Sequence, residues 1–252
     1  MNRRLKQLIY GSIYLAIFLA LVLWIYFSFF HNPPTCFDSI KNQDEEGVDC
    51  GGSCLEICLP NQFGTIEIVD RVRILRIDDE HVSILVKIQN NNLDFAAESF
   101  NYTLSILDSK DKVVTPIFGT SYIYHGEVKY IAAPNIRISP TIAARATFEI
   151  SNPKWILGEK LSKPDVSIQN HRTSLLGNEV KVEGSLISHD PAILKNTKII
   201  AVFFGQFGLP VGVSQTEIEN LEPNDTRSFV INHALLDNIL ADKTQVFVFA
   251  KH

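Results

Sequence analysis

Residues 8–30 run 23 positions without a charge: LIYGSIYLAIFLALVLWIYFSFF. Wound as an α-helix, such a run is roughly 34 Å long, enough to cross a hydrocarbon core of about 30 Å with slight tilt. A helix packed on a soluble core shows a polar face, and this run has none. Tyr10, Tyr14, Trp24 and Tyr26 lie toward its ends, where amphipathic rings favour the membrane–water boundary. Arg3, Arg4 and Lys6 precede it, whereas residues 31–35 carry no Lys or Arg. The positive-inside bias therefore predicts a single-pass cell-membrane protein, with a cytoplasmic N-terminus and an extracytoplasmic C-terminal bulk. The competing reading is a cleaved signal peptide, whose apolar stretch runs about 7–15 residues and ends in a small-x-small site. Here the stretch is longer and ends in bulky rings, and Pro33, Pro34 and Thr35 precede Cys36 where lipoprotein cleavage needs a small, apolar box. An uncleaved anchor in the lipid bilayer is the expectation.

All four cysteines, Cys36, Cys50, Cys54 and Cys58, fall inside 23 residues just beyond the span, and none follows. An even, clustered set in an exported segment predicts two disulfides. A four-thiolate zinc site is the rival, but such sites favour pairs two residues apart, and the gaps here are thirteen, three and three. The spacing leaves all three pairings open. Asp38, Asn42, Asp44, Glu46 and Asp49 supply hard oxygen ligands of the kind calcium takes. Their order departs from the D-x-[DN]-x-[DN]-G loop, and the alternative reading is that Asp and Asn cap turns while Gly47, Gly51 and Gly52 allow positive φ. A unit this short cannot bury enough apolar surface to fold without such staples.

From residue 61 onward the pattern becomes alternation of apolar and polar positions in short runs, broken by Gly, Pro, Asn and Asp, which marks half-buried strands. Runs at 65–69, 82–88, 100–107, 113–118, 122–124, 130–131 and 145–150 are followed by a restart at 165–168, 180–187, 197–204, 211–218, 228–231 and 245–250. The predicted class is mainly β: an N-terminal transmembrane helix, a small disulfide-rich knot, and two tandem antiparallel immunoglobulin-like β-sandwiches. The predicted layout is 1–7 cytoplasmic tail, 8–30 helix, 31–60 knot, 61–163 first sandwich and 164–252 second sandwich. Short helical turns are expected at 153–158 and 234–242, where apolar residues recur at three and four. The restart reads as a repeat. VSILVKIQNNN from Val82 matches VKVEGSLISHD from Val180, YTLSILDSKDKVV from Tyr102 matches IIAVFFGQFGLPVG from Ile199, and ATFEISNPKWIL from Ala146 matches RSFVINHALLDNIL from Arg227.

Two resemblances follow from these residues. The knot carries C-x-D-x-x-x-N-x-x-E-x-G-x-D-C-G-G-x-C-x-x-x-C, through Cys36, Asp38, Asn42, Glu45, Gly47, Asp49, Cys50, Gly51, Gly52, Cys54 and Cys58. It resembles a short module found beside membrane anchors and in surface proteins of bacteria, with Ser39 where that module often has Gly. The repeats resemble FxLYD-type domains, small sandwiches related to the late-embryogenesis-abundant-like fold. In the second copy, residues 180–188 are similar to the strand V-x-V-x-G-x-V-x-N, with Ser188 for Asn. Residues 218–229 are similar to the ending I-x-x-L-x-P-G-x-x-x-x-F, with Asn224 for Gly. In the first copy Asn90 holds the Asn place, and Ser105-Ile106-Leu107-Asp108 is close to the name-giving motif. What the resemblance implies is a non-catalytic, extracytoplasmic module.

The formal net charge of −5 and the lack of a basic stripe beyond Arg3, Arg4 and Lys6 give no reason to expect nucleic acid. None of the seven His pairs at i, i+4 or neighbours a Cys, no G-x-S-x-G elbow occurs, and the turns at His125 and His189 suit solvated imidazoles. No cofactor and no enzyme activity are expected. The predicted role is a scaffold or protein-interaction module meeting envelope or surface proteins through sandwich edges and end loops. The alternative is a small-ligand or lipid-binding receptor, suggested by Phe203, Phe204, Phe207, Phe229, Phe247 and Phe249, with those rings simply filling a core as the plainer account.

Overall fold

The computed structural model describes residues 3–29, 35–42, 44–60, 63–235 and 238–252. Phe30 and residues 31–34, on which the outer end of the span was placed, lie outside the described residues, as do Leu236 and Asp237 of the second expected helical turn. The chain divides into two compact units, residues 1–60 and 61–252.

The first unit opens with helix α1 (Arg3–Phe29). Residues Lys6–Phe27 of it are long and apolar enough to cross a membrane, and none of that stretch is buried within the protein. Its many Ile, Tyr and Phe residues are mediocre helix formers in water. In an apolar medium a helix satisfies every backbone group internally, and that outweighs propensity. The disulfide knot follows.

The second unit is antiparallel β throughout its sheets. The first sandwich comprises β1 (Ile66–Ile68), β2 (Arg73–Arg76), β3 (His81–Asn90), β4 (Phe95–Leu107), β5 (Val113–Ile123), β6 (Val128–Arg137) and β7 (Arg145–Leu157). In one sheet β1 and β2 share one side of β3 and β6 takes the other; the opposing sheet runs β5-β4-β7. The second comprises β8 (Val166–Leu176), β9 (Glu179–Ser188), β10 (Leu194–Phe204), β11 (Pro210–Leu221), β12 (Thr226–Ala234) and β13 (Gln245–Lys251). Its sheets are β12-β9-β8 and β11-β10-β13. Each sandwich has its own core: Ile84, Ile88, Phe100, Leu104 and Ile123 in the first, Val182, Leu186, Ile199, Phe203 and Leu221 in the second.

The two pairing diagrams are the same once β1 and β2 together are set against β8, so the repeat is topological as well as textual. The Val82 and Val180 runs occupy equivalent strands, β3 and β9, each closed by an equivalent bond. Asn90 N–H donates to the Glu127 carbonyl at 2.9 Å, and Ser188 N–H to that of Asp225 at 3.0 Å. The third textual match is wrong. Ala146 lies on β7, which pairs with β4, whereas Arg227 lies on β12, which pairs with β9. The counterpart of β7 is β13, and that of β12 is β6. A Phe inside an alternating run is common to any inward-facing strand, so the text could not tell which neighbour each one had.

The expected helical turn at 153–158 is also overturned. Strand β7 continues to Leu157, with Trp155 opposite Ala97 and Ile156 opposite Ala96, and only a 3-10 turn, Gly158–Lys160, follows. Asn152, at φ 51°, kinks the strand before Pro153. Because β7 is paired on one side only, a proline without an N–H is tolerated there. At 234–242, strand β12 runs to Ala234 and a 3-10 turn spans Ala241–Lys243.

The two sandwiches do not hang as separate beads. A further apolar cluster joins Leu75 and Leu85 of the first to Ile200, Val202, Val213 and Phe249 of the second, with Tyr130, Ala132, Phe204 and Phe247 packed against it. The Tyr130 and Phe247 rings sit 4.7 Å apart. Tyr124 donates its hydroxyl to the Ala250 carbonyl at 2.8 Å, and Lys251 Nζ to that of Glu98 at 2.9 Å. This explains why β3 is buried along almost its whole length, Ser83 and Asn90 included. Its sheet is covered on both faces, by its own sandwich and by the other.

Candidate interaction surfaces

The knot is held by an interleaved pair of disulfides, Cys36–Cys54 and Cys50–Cys58, one of the three pairings the spacing allowed. Around them the signature residues form a polar lattice. Asp49 accepts the N–H of Asp38 at 2.9 Å and that of Ser39 at 2.9 Å. Asp38 accepts the N–H of Ile40 and the Asn42 amide, both at 2.9 Å. Glu45, only 6% exposed, accepts the N–H of Asn42 at 3.1 Å and of Asp49 at 3.3 Å. Asp44 accepts the Ser53 hydroxyl at 2.7 Å. Gly52, at φ +59°, leaves no room for a side chain: a Cβ there would run into the Asp44 carbonyl oxygen.

The residues singled out as oxygen ligands thus have other work. Asp38, Asn42 and Asp49 are drawn together, but by donating and accepting bonds among themselves and the backbone. Asp44 stands with Ser53, and Glu46 contributes its backbone N–H to the Cys50 carbonyl at 3.0 Å. The Asp38 carboxyl is held below the usual carboxylate range chiefly by the Thr35 N–H; burial opposes this, and the Asn42 amide and the Ile40 N–H add smaller lowering effects. That of Asp44 is lowered mainly by Ser53. Among the described residues, one group of three has its ligand atoms within 4.8 Å of one another, Cys36, Glu45 and Cys54. Both sulfurs there are spent in one disulfide, so neither is a thiolate. Large apolar side chains take no part in the interior: Phe37, Ile40, Val48, Leu55, Ile57 and Leu59 are all exposed.

In the first sandwich, a groove of about 440 Å³ opens between β1 and β7, lined by Phe63, Ile66, Ile68, Phe148, Ile150 and Trp155. Phe63 stacks on Trp155 at 5.3 Å and meets Phe95 edge-on at the same distance. Both flanking strands have one unpaired edge here. The phenylalanines that suggested a ligand cavity go elsewhere. Phe203 and Phe229 fill the second core, Phe204, Phe247 and Phe249 join the sandwiches, and Phe207 is exposed.

One titratable group escaped the sequence reading. Lys129, on β6, is 4% exposed. Its Nζ donates to the Tyr122 carbonyl at 2.9 Å and lies 3.3 Å from the centre of the Tyr122 ring, with Phe249 at 5.2 Å. Burial pushes its ammonium down to about 7, against the pull of Glu127. The signal was faint: Val-Lys-Tyr reads as an ordinary outward Lys in a strand. Among the histidines, His233 is buried against Phe203, with its pKa lowered by desolvation. His189 Nε2 lies 3.3 Å from Ser167 Oγ on the surface, a contact between residues too far apart in sequence to foresee.

No family model matches the chain, and no curated protein matches it. Among solved structures, the crystal structure of red sea bream transglutaminase matches with 11% identity over 73% of this chain and a TM-score of 0.22. The chain spans 32% of the length of that protein.

Proposed function

We propose that this chain is a single-pass membrane protein with its N-terminus in the cytoplasm, presenting a double β-sandwich outside the membrane as a non-enzymatic scaffold for envelope or surface proteins. The observation that carries the reading is the fused pair of sandwiches on a chain that opens with an unburied, span-length helix. A rigid, two-lobed body with free strand edges suits docking by strand addition or loop contact. The resemblances to a bacterial Cys-rich module and to FxLYD-type domains support an extracytoplasmic setting, where the two disulfides persist. The test is photo-crosslinking on intact cells from positions on β7 and β12, followed by mass spectrometry, alongside protease protection of sealed vesicles. Specific partner adducts with the bulk cleaved only from outside are expected; adducts to lipid alone, or cleavage from the cytoplasmic side, would sink the proposal.

A second reading has one specific observation in its favour, the aromatic groove of about 440 Å³, which is within the size small ligands use. It makes the protein a small-ligand or lipid receptor. Native mass spectrometry of the detergent-purified protein, with and without Trp155→Ala, decides it: a co-purifying molecule lost in the variant supports it, and a bare protein in both dismisses it.

A further inference from the structure

We infer that the disulfide knot is a membrane-resting foot, with the exposed apolar side chains around its disulfides seated in the interface of a lipid bilayer of low surface charge. The inference rests on reading α1 as a span.

The knot inverts the composition of an ordinary folded module. Its interior is disulfide, glycine and a carboxylate–amide lattice, with Glu45 rather than a hydrophobic residue at the centre. Phe37 is 88% exposed and Leu55 fully so. In a soluble module, large apolar groups left outside singly need no explanation, but a cluster on so small a body does. Their backbones are neighbours, since each residue follows one half of the Cys36–Cys54 disulfide, whose Cα atoms are 5.6 Å apart. Ile57 and Leu59 flank Cys58 in the same way.

The knot also follows the span closely along the chain. Seven peptide steps separate Phe29, where α1 ends, from Cys36. Fully extended they reach roughly 25 Å. The knot is therefore tethered within reach of the headgroups, and the effective concentration of membrane at its surface is high. Charge selects the kind of lipid. The knot carries six carboxylates against the single Lys41, and an anionic leaflet would repel it. The lipid surface it fits is zwitterionic, with the rings and aliphatic groups at the acyl boundary.

The test uses the full chain with its native tryptophans replaced (W24F and W155F), reconstituted in phosphatidylcholine vesicles with bromines on the acyl chains. F37W and L55W are the reporters. Both positions are exposed, so neither variant disturbs the fold, and the absence of free thiols confirms that the disulfides have formed. The expected result is blue-shifted emission for both, several-fold stronger quenching by brominated than by plain lipid, and weak quenching by aqueous acrylamide. Water-like emission with strong acrylamide quenching and no bromine effect would overturn the inference, and the face would then belong to a protein. A companion protein that keeps only Trp24 reports on the span itself. If Trp24 is quenched by bromines and F37W is not, the foot fails while the anchor stands; if Trp24 is not quenched, the anchor reading fails first.

Discussion

Lys129→Met should stabilise the folded protein near neutral pH. Held at about 7 instead of its ordinary 10.5, the buried ammonium carries a charge-burial cost of about 5 kcal/mol. The ring of Tyr122, 3.3 Å away, returns about 2 kcal/mol for a desolvated cation. Removing the ammonium also strips the Tyr122 carbonyl of a partner, worth about 1 kcal/mol. A methionine of similar length fills the same space between Tyr122 and Phe249. The net expectation is a gain of about 2 kcal/mol at pH 6, or roughly 4–8 °C in Tm for a unit of this size. The sign with pH follows from proton counting. Between about 7 and 10.5 the unfolded chain holds a proton on Lys129 that the folded chain has released. Wild-type stability therefore rises with pH across that window, and the variant lacks this contribution. At about 1.4 kcal/mol per pH unit, the advantage of K129M over wild type should shrink from pH 7 upward, reach zero at about pH 8.5 and reverse above it. Thermal and urea unfolding of both proteins in detergent, followed by near-ultraviolet circular dichroism at pH 6, 8 and 10, measures it. A variant less stable than wild type at pH 6, with a difference that does not change up to pH 10, would refute the reasoning: the cation–π contact would then outweigh burial.

Asn90→Ala should cost about 2–3 kcal/mol in the same assay, because the buried amide donates to the carbonyls of Phe95 and Tyr124 and accepts from Asn92 and its loss orphans them. Replacing Cys50 and Cys58 together by Ser opens a loop of eight residues, which should cost the knot about 2.5 kcal/mol by loop entropy; hydrogen exchange over residues 35–60 should rise while residues 61–252 keep their transition. Gly52→Ala should hinder formation of the knot, read as free thiols on a non-reducing gel, since its Cβ meets the Asp44 carbonyl. Millimolar calcium should leave the thermal transition of the knot unmoved, because Asp38 and Asp49 already accept backbone N–H groups; a clear upward shift lost in Asp38→Asn would revive calcium binding there.

What the sequence determined by itself is what local physics specifies. A charge-free run of 23 residues dictates a helix of spanning length whatever else folds. Period-two alternation located nearly every strand, because one covered face imprints on its own residues; β2 escaped, being a four-residue strand whose ends are Arg73 and Arg76. The cysteines and acidic residues announced a stapled turn-rich knot. Only the tertiary structure decided the rest, because partners are non-local. Alternation says that a strand has an inside but not which strand lies beside it, so β7 and β12 were matched although they pair on different sheets. The apolar outer face that welds the sandwiches, and the burial of Lys129 beside it, depend on residues such as Leu85 and Phe249, 164 positions apart. No window along the chain contains both. Likewise, three cysteine pairings were equal on paper, and only the folded knot shows Cys36 beside Cys54 and Cys50 beside Cys58.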